Sequence, residues 1–274
     1  MSLRFLYTTD LHGNIQKFED VFAYANRYDI KLLHLGADLL PKGEGMLKAQ
    51  KKFIKGYLKN FYIRCHNEGI TVLAFFGNDD VYTRKKYFRQ SIGEYGDLLD
   101  EVPFKRGDYL FKAYPYVLDY PFGLKTACKL DYGGWRCSEA YLGPPCDYDE
   151  SGHHYIENVE EYFINKGTIK NDLNNIHVNN RTVMAIHQPP YGLDLDVCMG
   201  GKRVGSKAIY DWVKKEQPLL LLAGHIHESY LVTGIWKCQL GKTQIIQPGQ
   251  HTTKTTLVVI EINKGDVISN LICI

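Results

Sequence analysis

The sequence lacks a strong excess of either charge, because 33 Lys and Arg residues face 31 Asp and Glu residues for a net charge of +2. Proteins that track a nucleic-acid backbone usually carry a basic excess, so the charge balance argues against a nucleic-acid partner. The sequence also lacks a long apolar run. The longest uninterrupted runs, such as Leu219–Ala223, are far too short to span a bilayer, and no membrane partner is expected.

The N-terminal residues lack the basic and long apolar regions of a secretory signal. The seven cysteines are an odd number, so they cannot all pair within one chain. Together these features predict a protein of the reducing cytoplasm. Close Cys-x-x-Cys pairs are also absent. Cys128, Cys137 and Cys146 recur every nine residues and could form a structural zinc site with His153 or His154, but without a close pair the signal is weak.

The most informative stretch is the segment Gly224–His227, which follows the apolar run Leu219–Ala223. An apolar run of this length, bounded by proline and glycine, predicts a buried strand. Alternate side chains of an extended segment point the same way, so His225 and His227 can face one site. Imidazole is a ligand for Zn, Fe and Mn. Alone, such a pair is more often part of a polar loop than of a metal site.

The first part of the chain repeats a strand-then-helix pattern in which polar residues end each strand. The successive units are Asp10 and His12 after Leu3–Thr9, Asp38 after Lys31–Leu35, and Asn78 and Asp79 after Ile70–Phe76. In open α/β sheets, ligands bind beyond the carboxyl ends of the strands. Asp10 alone could be only a helix cap and His12 a loop residue, but three units that deliver polar side chains to one edge favour a site.

Apolar residues recur at helical or strand spacing along most of the chain, but less clearly between residues 81 and 180. Helical spacing predicts helices from Ile15 to Ala25 and from about Met46 to Asn67. We interpret residues 81–180 as an insertion that borders the site within a single domain of residues 1–274. This insertion contains two short strands between Asp108 and Tyr120, an irregular region from Lys125 to Gly152, and a helix from about Tyr155 to Asn175.

The last third of the chain is rich in predicted strands. A strand over Thr182–Ile186 ends at His187, and a helix over Gly205–Lys215 precedes the strand at Leu219. Four further strands are predicted: Ser229–Trp236, Thr243–Gln247, Thr255–Ile262 and Val267–Ile274. Their alternating patterns suggest a second sheet packed on the first. The sequence therefore predicts an α/β protein.

Seven polar residues at strand ends form the candidate metal site: Asp10, His12, Asp38, Asn78, His187, His225 and His227. Their oxygen and nitrogen donors suffice for two divalent or trivalent metal ions if one carboxylate bridges. Such a mixed set suits Mn, Fe or Zn better than Mg or Ca, because the latter prefer an all-oxygen shell.

In this order, the motifs resemble those of the calcineurin-like metallophosphoesterases, a superfamily that includes purple acid phosphatases, Ser/Thr protein phosphatases and many cyclic-nucleotide phosphodiesterases. The family blocks are Asp-x-His, Gly-Asp, Gly-Asn-His-Asp/Glu, an isolated His and Gly-His-x-His. The corresponding segments are Asp10–His12, Gly36–Asp38, Gly77–Asp80, His187 and Gly224–His227. The segment His187–Gly192 and Glu228 look most like small prokaryotic-type phosphodiesterases.

The resemblance implies a four-layer α/β/β/α sandwich of two mixed sheets flanked by helices. It also implies one ion held by Asp10, His12, Asp38 and His227, and a second held by Asp38, Asn78, His187 and His225, with Asp38 bridging. A metal-bridging hydroxide would attack a small phosphoester substrate, more readily a phosphodiester than a broad range of phosphomonoesters. The catalytic residues implied are Asp38, Asn78, Asp79 and His187.

The sequence departs from the family pattern at two positions. Ala37 separates Gly36 from the expected bridging carboxylate, so Asp38 is aligned as the ligand because it is the only carboxylate at that strand end. Asp79 stands where many members have a catalytic histidine. A carboxylate beside two cations has a lowered pKa and is a poor general acid. We therefore expect a weaker or more selective enzyme, suited to leaving groups that need little protonation.

Candidate substrate contacts come from two loops. Lys202 and Arg203 lie in the Gly-rich segment Gly200–Gly205 and could meet a phosphate, although a solvated loop is the simpler interpretation. His251 could approach the site after a Pro-Gly turn. An alternative function is a non-catalytic interaction scaffold with the same fold. The departure at Asp79 favours that alternative slightly, whereas the complete set of ligands argues against it.

Overall fold

The first sheet is built from both ends of the chain. The computed structural model describes residues 2–118, 127–133 and 146–274. The spatial order of this sheet is β15 (Asp266–Cys273), β14 (Thr256–Asn263), β1 (Ser2–Thr8), β2 (Leu32–Leu35) and β3 (Thr71–Leu73). Strands β1, β2 and β3 are parallel, whereas β14 and β15 pair antiparallel. The carboxyl ends of β1–β3 therefore share one edge.

The second sheet has six strands. Their spatial order is β12 (Lys237–Leu240), β13 (Thr243–Ile246), β11 (Leu220–Leu222), β10 (Thr182–Ile186), β5 (Tyr109–Tyr114) and β4 (Phe104–Arg106). The inner four strands are parallel and the outer two pair antiparallel. Two short pairs lie outside it: β6 (Val117–Leu118) with β7 (Cys128–Lys129), and β8 (Cys146–Tyr148) with β9 (His153–Tyr155). Residues 81–180 thus contribute β4 and β5 to the second sheet.

Helices cover the outer faces of both sheets. The α-helices of the described residues are α1 (Ile15–Arg27), α2 (Met46–Phe53), α3 (Lys59–Asn67), α4 (Lys85–Ile92), α5 (Val159–Lys166), α6 (Ile169–Leu173), α7 (Lys207–Glu216) and α8 (Ser229–Thr233), with a π-helical segment, Ile54–Leu58, joining α2 to α3. Phe18 and Phe61 pack on the first sheet, and Trp212 packs on the second. Among the helices of the described ranges, none has the length and apolar character that a bilayer span requires.

Side-chain alternation explains the four layers. In β1, Phe5 and Tyr7 point into the core between the two sheets, whereas Leu6 points into the core under α1 and α3. Phe111 of β5 meets Phe5 from the opposite sheet, with ring centroids 5.4 Å apart. Strands buried on both faces need continuous apolar sequence, and β11 and the Phe5–Tyr7 part of β1 have it. The predicted sandwich of two mixed sheets flanked by helices is confirmed.

Two sequence predictions of secondary structure and one of sheet membership are wrong. The strand predicted over Ser229–Trp236 begins instead with α8, which Gly234 ends at a φ of 74°. The helix predicted from Tyr155 to Asn175 is split into α5 and α6 by Gly167, whose φ is 77°, and Thr168 caps the second helix. Strands β14 and β15 join the first sheet rather than the second, because β14 pairs with β1. Residues 119–126 and 134–145 of the predicted insertion lie outside the described residues.

His34 is a buried histidine in the core between the sheets. Its ring lies against Tyr7, Phe75 and Phe111, and neither ring nitrogen has a hydrogen bond to another described residue. Burial lowers the pKa of the His34 imidazole to about 3. Below its ordinary pKa of about 6.5, the unfolded chain binds a proton that the folded chain cannot, so stability is lost as the pH falls.

We expect the His34→Leu variant to lose less stability in acid than the wild type. From pH 6.5 to 4.5, the wild type should lose about 2 kcal/mol more free energy of unfolding than His34→Leu. This follows from about 1.4 kcal/mol per pH unit for one proton. Urea denaturation at both pH values measures it. The exposed His66 supplies a matched control, since His66→Leu should follow the wild type. Equal acid sensitivity in His34→Leu and the wild type would show that His34 is not the cause.

Candidate metal centre

Backbone hydrogen bonds tie the loop after β1 to the loop after β2. The Asp10 amide donates to the Ala37 carbonyl at 3.0 Å, and the His12 amide donates to the Asp38 carbonyl at 2.9 Å. The Gly13 amide continues this ladder to the Leu39 carbonyl at 2.8 Å. These bonds hold the carboxylates of Asp10 and Asp38 at one rim of the first sheet.

Two further contacts join the second sheet to the same rim. The Gly224 amide donates to the His187 carbonyl at 3.0 Å, which links the loops after β10 and β11. The His225 amide donates to the Asp10 carboxylate, 3.1 Å from Oδ2 and 3.2 Å from Oδ1. One carboxylate from the first sheet therefore fixes the backbone of the second.

Unusual backbone conformations concentrate at this rim. Eight non-glycine residues of the described part have positive φ, and four of them are predicted ligands: Asp10 at 57°, His12 at 45°, Asp38 at 55° and His225 at 70°. This region is uncommon for non-glycine residues and clusters at functional sites, where the surrounding structure must impose it. The conformation turns the four side chains out of the strand direction and into a common space.

Two glycines permit the close approach of these side chains. A Cβ atom at Gly77 would lie 2.2 Å from Asp38 Oδ1, and one at Gly224 would lie 2.6 Å from Asp10 Oδ2. Both distances are far inside van der Waals contact. Any larger residue at either position would displace a carboxylate of the rim, which explains why the motifs carry glycine there.

The first ligand cluster contains Asp10, His12 and His227, whose ligand atoms lie within 4.8 Å of one another. His227 Nε2 is 3.3 Å from Asp10 Oδ1 and 3.0 Å from His12 Nε2. The three residues come from the loops after β1 and β11. The family resemblance assigns all three to one ion, and the structure brings them together.

The second ligand cluster contains Asp38, His187 and His225, all buried. His187 Nε2 is 3.2 Å from Asp38 Oδ2 and 3.1 Å from Asn78 Oδ1. Asp38 also belongs to a third group with His12 and Asp79. Asp38 thus lies beside ligands of both predicted sets and links the two clusters. With Asn78 at His187, all seven predicted metal ligands lie at one rim of the structure.

Charges within the rim shift the pKa values of its acids and bases. Burial raises the pKa of Asp10, but attraction to the surrounding imidazoles, led by His227, outweighs burial and holds it well below the usual range. Burial also acts on Asp38, where attraction to His187 prevails and lowers the pKa to about 2. Despite its own burial, His187 has a pKa raised to about 9 by Asp38. The ionised carboxylates create a site that favours positive charge.

The donor atoms fit a metal ion. Zinc–imidazole bonds measure about 2.0–2.1 Å, so two imidazole nitrogens that share an ion lie roughly 3 Å apart. His12 Nε2 and His227 Nε2 have this separation, 3.0 Å. The buried Nδ1 atoms of His12 and His187 also have no hydrogen-bond partner among the described residues. This set of nitrogen and carboxylate donors suits Mn, Fe or Zn.

Asp80 and Gln50 support the rim and were missed by the sequence analysis. The buried Asp80 carboxylate accepts from the amides of Leu39 at 3.1 Å, Leu40 at 2.8 Å and Gly77 at 2.9 Å. Burial, with a contribution from Asp38, raises the pKa of Asp80 to about 8. The Gln50 amide donates to the Asp79 carbonyl at 2.7 Å from within α2. Asp80 occupies the last position of the Gly-Asn-His-Asp/Glu block, but that motif does not specify its amide partners, and the mid-helix Gln50 has no motif.

Asp79 lies at the mouth of the rim beside Lys42. The Lys42 Nζ atom is 3.6 Å from Asp79 Oδ2 and 3.3 Å from His12 Nε2. Burial and Asp38 raise the pKa of Asp79 to about 6, while Lys42 opposes the shift. The sequence predicts that two bound cations lower the pKa of Asp79, and no motif identifies Lys42. In the structure, the Lys42 ammonium offsets part of the Asp79 charge.

The predicted substrate contacts lie outside the three ligand clusters. The Arg203 guanidinium pairs with Asp194 and, at 3.1 Å, with Asp196, so it is engaged within its own loop. Lys202 is in that same loop, where its carbonyl accepts from the Cys198 amide at 2.8 Å. His251 Nδ1 accepts from the Thr253 amide at 3.2 Å. Substrate binding by Lys202, Arg203 and His251 stays a prediction.

The predicted cysteine site cannot be assembled from the described residues. Cys137 lies outside them, and the clusters found within the described ranges include neither Cys128 nor Cys146. His154 Nε2 is instead 2.9 Å from Asp149 Oδ1.

Comparison with known proteins gives one family and several similar folds. A model of the calcineurin-like phosphoesterase family matches residues 3–229, and no curated protein matches the chain. The crystal structure of TT1561 from Thermus thermophilus is similar at TM-score 0.54 and 16% identity, covering 98% of this chain and 99% of that chain. A dimetal phosphatase from Danio rerio is similar at TM-score 0.51 and 11% identity, covering 99% and 98%. At these identities the two structures show a shared fold.

Proposed function

Because this chain belongs to the calcineurin-like phosphoesterase family, we propose that it is a dinuclear metal-dependent phosphodiesterase acting on a small substrate. The observation that carries the proposal is the convergence of seven nitrogen and oxygen donors from two sheets on one rim, with Asp38 in two of the ligand clusters. We assign one ion to Asp10, His12, Asp38 and His227, and the other to Asp38, Asn78, His187 and His225.

The metal centre would supply Lewis-acid charge and a water whose pKa is lowered toward neutrality. The protein residues hold the donors in place before substrate arrives. Asp80 fixes the loops after β2 and β3 through three backbone amides, and Asp10 fixes the loop after β11 through the His225 amide. Donors that are positioned in advance need no reorganisation as charge develops on the phosphoryl group.

The preference for phosphodiesters with acidic leaving groups rests on Asp79. An imidazolium at this position could donate a proton to the leaving oxygen, whereas a carboxylate among bound cations is a poor acid. Lys42, beside Asp79, offers a positive charge but lies 48% exposed, so solvent screens it. The enzyme we propose therefore depends on leaving groups that depart without protonation.

A series of aryl phosphodiesters and phosphomonoesters, assayed with added Mn²⁺, tests the proposal. We expect turnover of the diesters to be highest with the most acidic phenols and to fall steeply as the phenol pKa rises. The Asp79→His variant should raise turnover of the poorest leaving groups by about 10²-fold, the lower range for general acid catalysis. Plots of rate against leaving-group pKa measure both effects.

The control variant is Asp266→His, which changes an exposed carboxylate at the start of β15 and should reproduce the wild-type plot. A leaving-group dependence that Asp79→His leaves unchanged would refute the role given to Asp79. Absence of turnover over the whole panel, with Mn, Fe and Zn each supplied, would refute the phosphoesterase proposal itself.

A further inference from the structure

Four cationic side chains surround one tyrosine ring away from the ligand clusters. From the Tyr87 ring centroid, the Nζ atoms of Lys51, Lys86 and Lys55 lie at 4.6, 5.0 and 5.2 Å, and the Arg84 guanidinium carbon lies at 5.3 Å. These five residues form what we call the Tyr87 cluster. Lys51 and Lys55 project from α2 and the π-helical segment, whereas the others come from the start of α4 and the turn before it.

The Tyr87 cluster has an excess of positive charge. Within the described part of the chain, Glu150 is the one carboxylate at ion-pair distance, 2.9 Å from Lys86 Nζ and 4.0 Å from Arg84 Nη2. Four cations against one carboxylate leave an excess of three charges around a single ring. Like charges this close repel one another, even though water and salt screen the repulsion. An anion placed among them would relieve it.

Arg84 provides a second and independent indication of an anion. Only 6% of its side chain is exposed, yet Nε has no hydrogen-bond partner among the described residues and Nη2 donates to Thr83 Oγ1 at 3.1 Å. A guanidinium carries five N–H donors, and a buried one normally pairs closely with a carboxylate or phosphate. The nearest described carboxylate, at 4.0 Å, is too distant for a hydrogen bond.

We propose that the Tyr87 cluster binds a phosphate group of a small ligand at a site separate from the metal centre. The planar fork of Arg84 matches phosphate oxygens, and three ammonium groups supply the remaining charge. The cations lie around one ring rather than along a track, so the site fits one phosphate or a pyrophosphate instead of a nucleic-acid backbone. This assignment does not depend on the reaction at the metal centre.

The Tyr87 cluster is built on elements that also support the rim. Gln50 immediately precedes Lys51, and its side chain donates to the Asp79 carbonyl at 2.7 Å and accepts from the Val81 amide at 3.0 Å. Arg84 follows three residues after Val81. An anion in the Tyr87 cluster would therefore bind between the helix and the turn that hold the Asp79 loop.

Lysine acetylation of the full-length protein, read by mass spectrometry with and without inorganic pyrophosphate, tests the site at residue resolution. We expect pyrophosphate to slow the labelling of Lys51, Lys55 and Lys86 severalfold. The labelling rates of Lys48 and Lys52, which lie in α2 beside Lys51, should not change. Arg84→Gln should weaken pyrophosphate binding, measured by calorimetry, by about tenfold, the usual effect of losing a charge-assisted hydrogen bond.

Matched triple variants separate a built site from a diffuse basic face. Both variants remove three charges from the surface: Lys51→Gln, Lys55→Gln and Lys86→Gln in the first, and Lys48→Gln, Lys52→Gln and Lys59→Gln in the second. Only the first should abolish pyrophosphate binding measured by calorimetry, and its exposed positions keep the test valid if Arg84→Gln fails to fold. Equal losses in both variants, uniform protection of all lysines, or protection confined to Lys42 at the metal centre would each overturn the proposal.

Discussion

Replacing Asp38 by asparagine is expected to lower turnover of an aryl phosphodiester by about a thousandfold, or roughly 4 kcal/mol of transition-state stabilisation. Asp38 is the carboxylate shared by two ligand clusters, and its Oδ2 atom lies 3.2 Å from His187 Nε2. Asparagine has the same size and can still accept the Asp79 amide through Oδ1, where that contact measures 2.8 Å. The substitution therefore removes a negative charge and a bridging oxygen while keeping the shape of the rim.

Steady-state kinetics with metal in excess, together with a thermal unfolding curve, measure this effect. Asp266→Asn is the matched control, since it makes the same chemical change at an exposed position and should leave turnover unaltered. If Asp38→Asn keeps its turnover within about tenfold of the wild type while it remains folded, Asp38 is not the bridging ligand. The alignment of Asp38 with the carboxylate of the family's Gly-Asp motif, which passes over Ala37, would then be wrong.

Removing the metal is expected to abolish turnover and to destabilise the fold. Without cations, the buried carboxylates of Asp10 and Asp38 lie close together at one rim, balanced mainly by imidazoles. Ions present at about a thousandfold above their Kd stabilise the folded state by about 4 kcal/mol, which corresponds to a fall of about 10 °C in Tm after chelation for a protein of this size. Activity assays and scanning calorimetry before and after exhaustive chelation measure the two losses.

Adding metal ions back to the chelated protein identifies the ions that fit the centre. Mn, Fe or Zn should recover both turnover and Tm, whereas Ca should not, because the donor set contains four imidazoles that Ca binds poorly. Asp38→Asn should show a smaller fall in Tm on chelation than the wild type. Full turnover in protein stripped of detectable metal would contradict the assignment of the seven ligands.

The location of the candidate site could be predicted from the sequence because it depends on a simple rule of α/β folds. Side chains that follow parallel strands meet at one edge of a sheet. Asp10, Asp38 and His225 each lie in the loop immediately after a strand. The left-handed backbone at these residues could not be predicted, since it is imposed by hydrogen bonds between loops distant in sequence. The role of Asp80 escaped notice for the same reason: its three amide partners include two from another loop.

The errors in the fold prediction have local and non-local causes. Gly167 followed by Thr168 is a visible stop and cap signal that separates α5 from α6, so that break was available in the sequence. The pairing of β14 with β1 joins the two ends of the chain, and alternation within a strand carries no information about its neighbour. At α8, β-branched residues indicate a strand by propensity, but tertiary contacts such as Ser229 Oγ to the Asp194 carbonyl hold a helix there.

Elemental analysis of the purified protein after reconstitution tests the central claim most directly, because it counts ions without assuming a substrate. The account predicts about two ions of Mn, Fe or Zn per wild-type chain, and a clear reduction in Asp38→Asn. Fewer than about half an ion per wild-type chain, with no uptake when metal is supplied, would contradict it and would favour a non-catalytic scaffold that retains the fold.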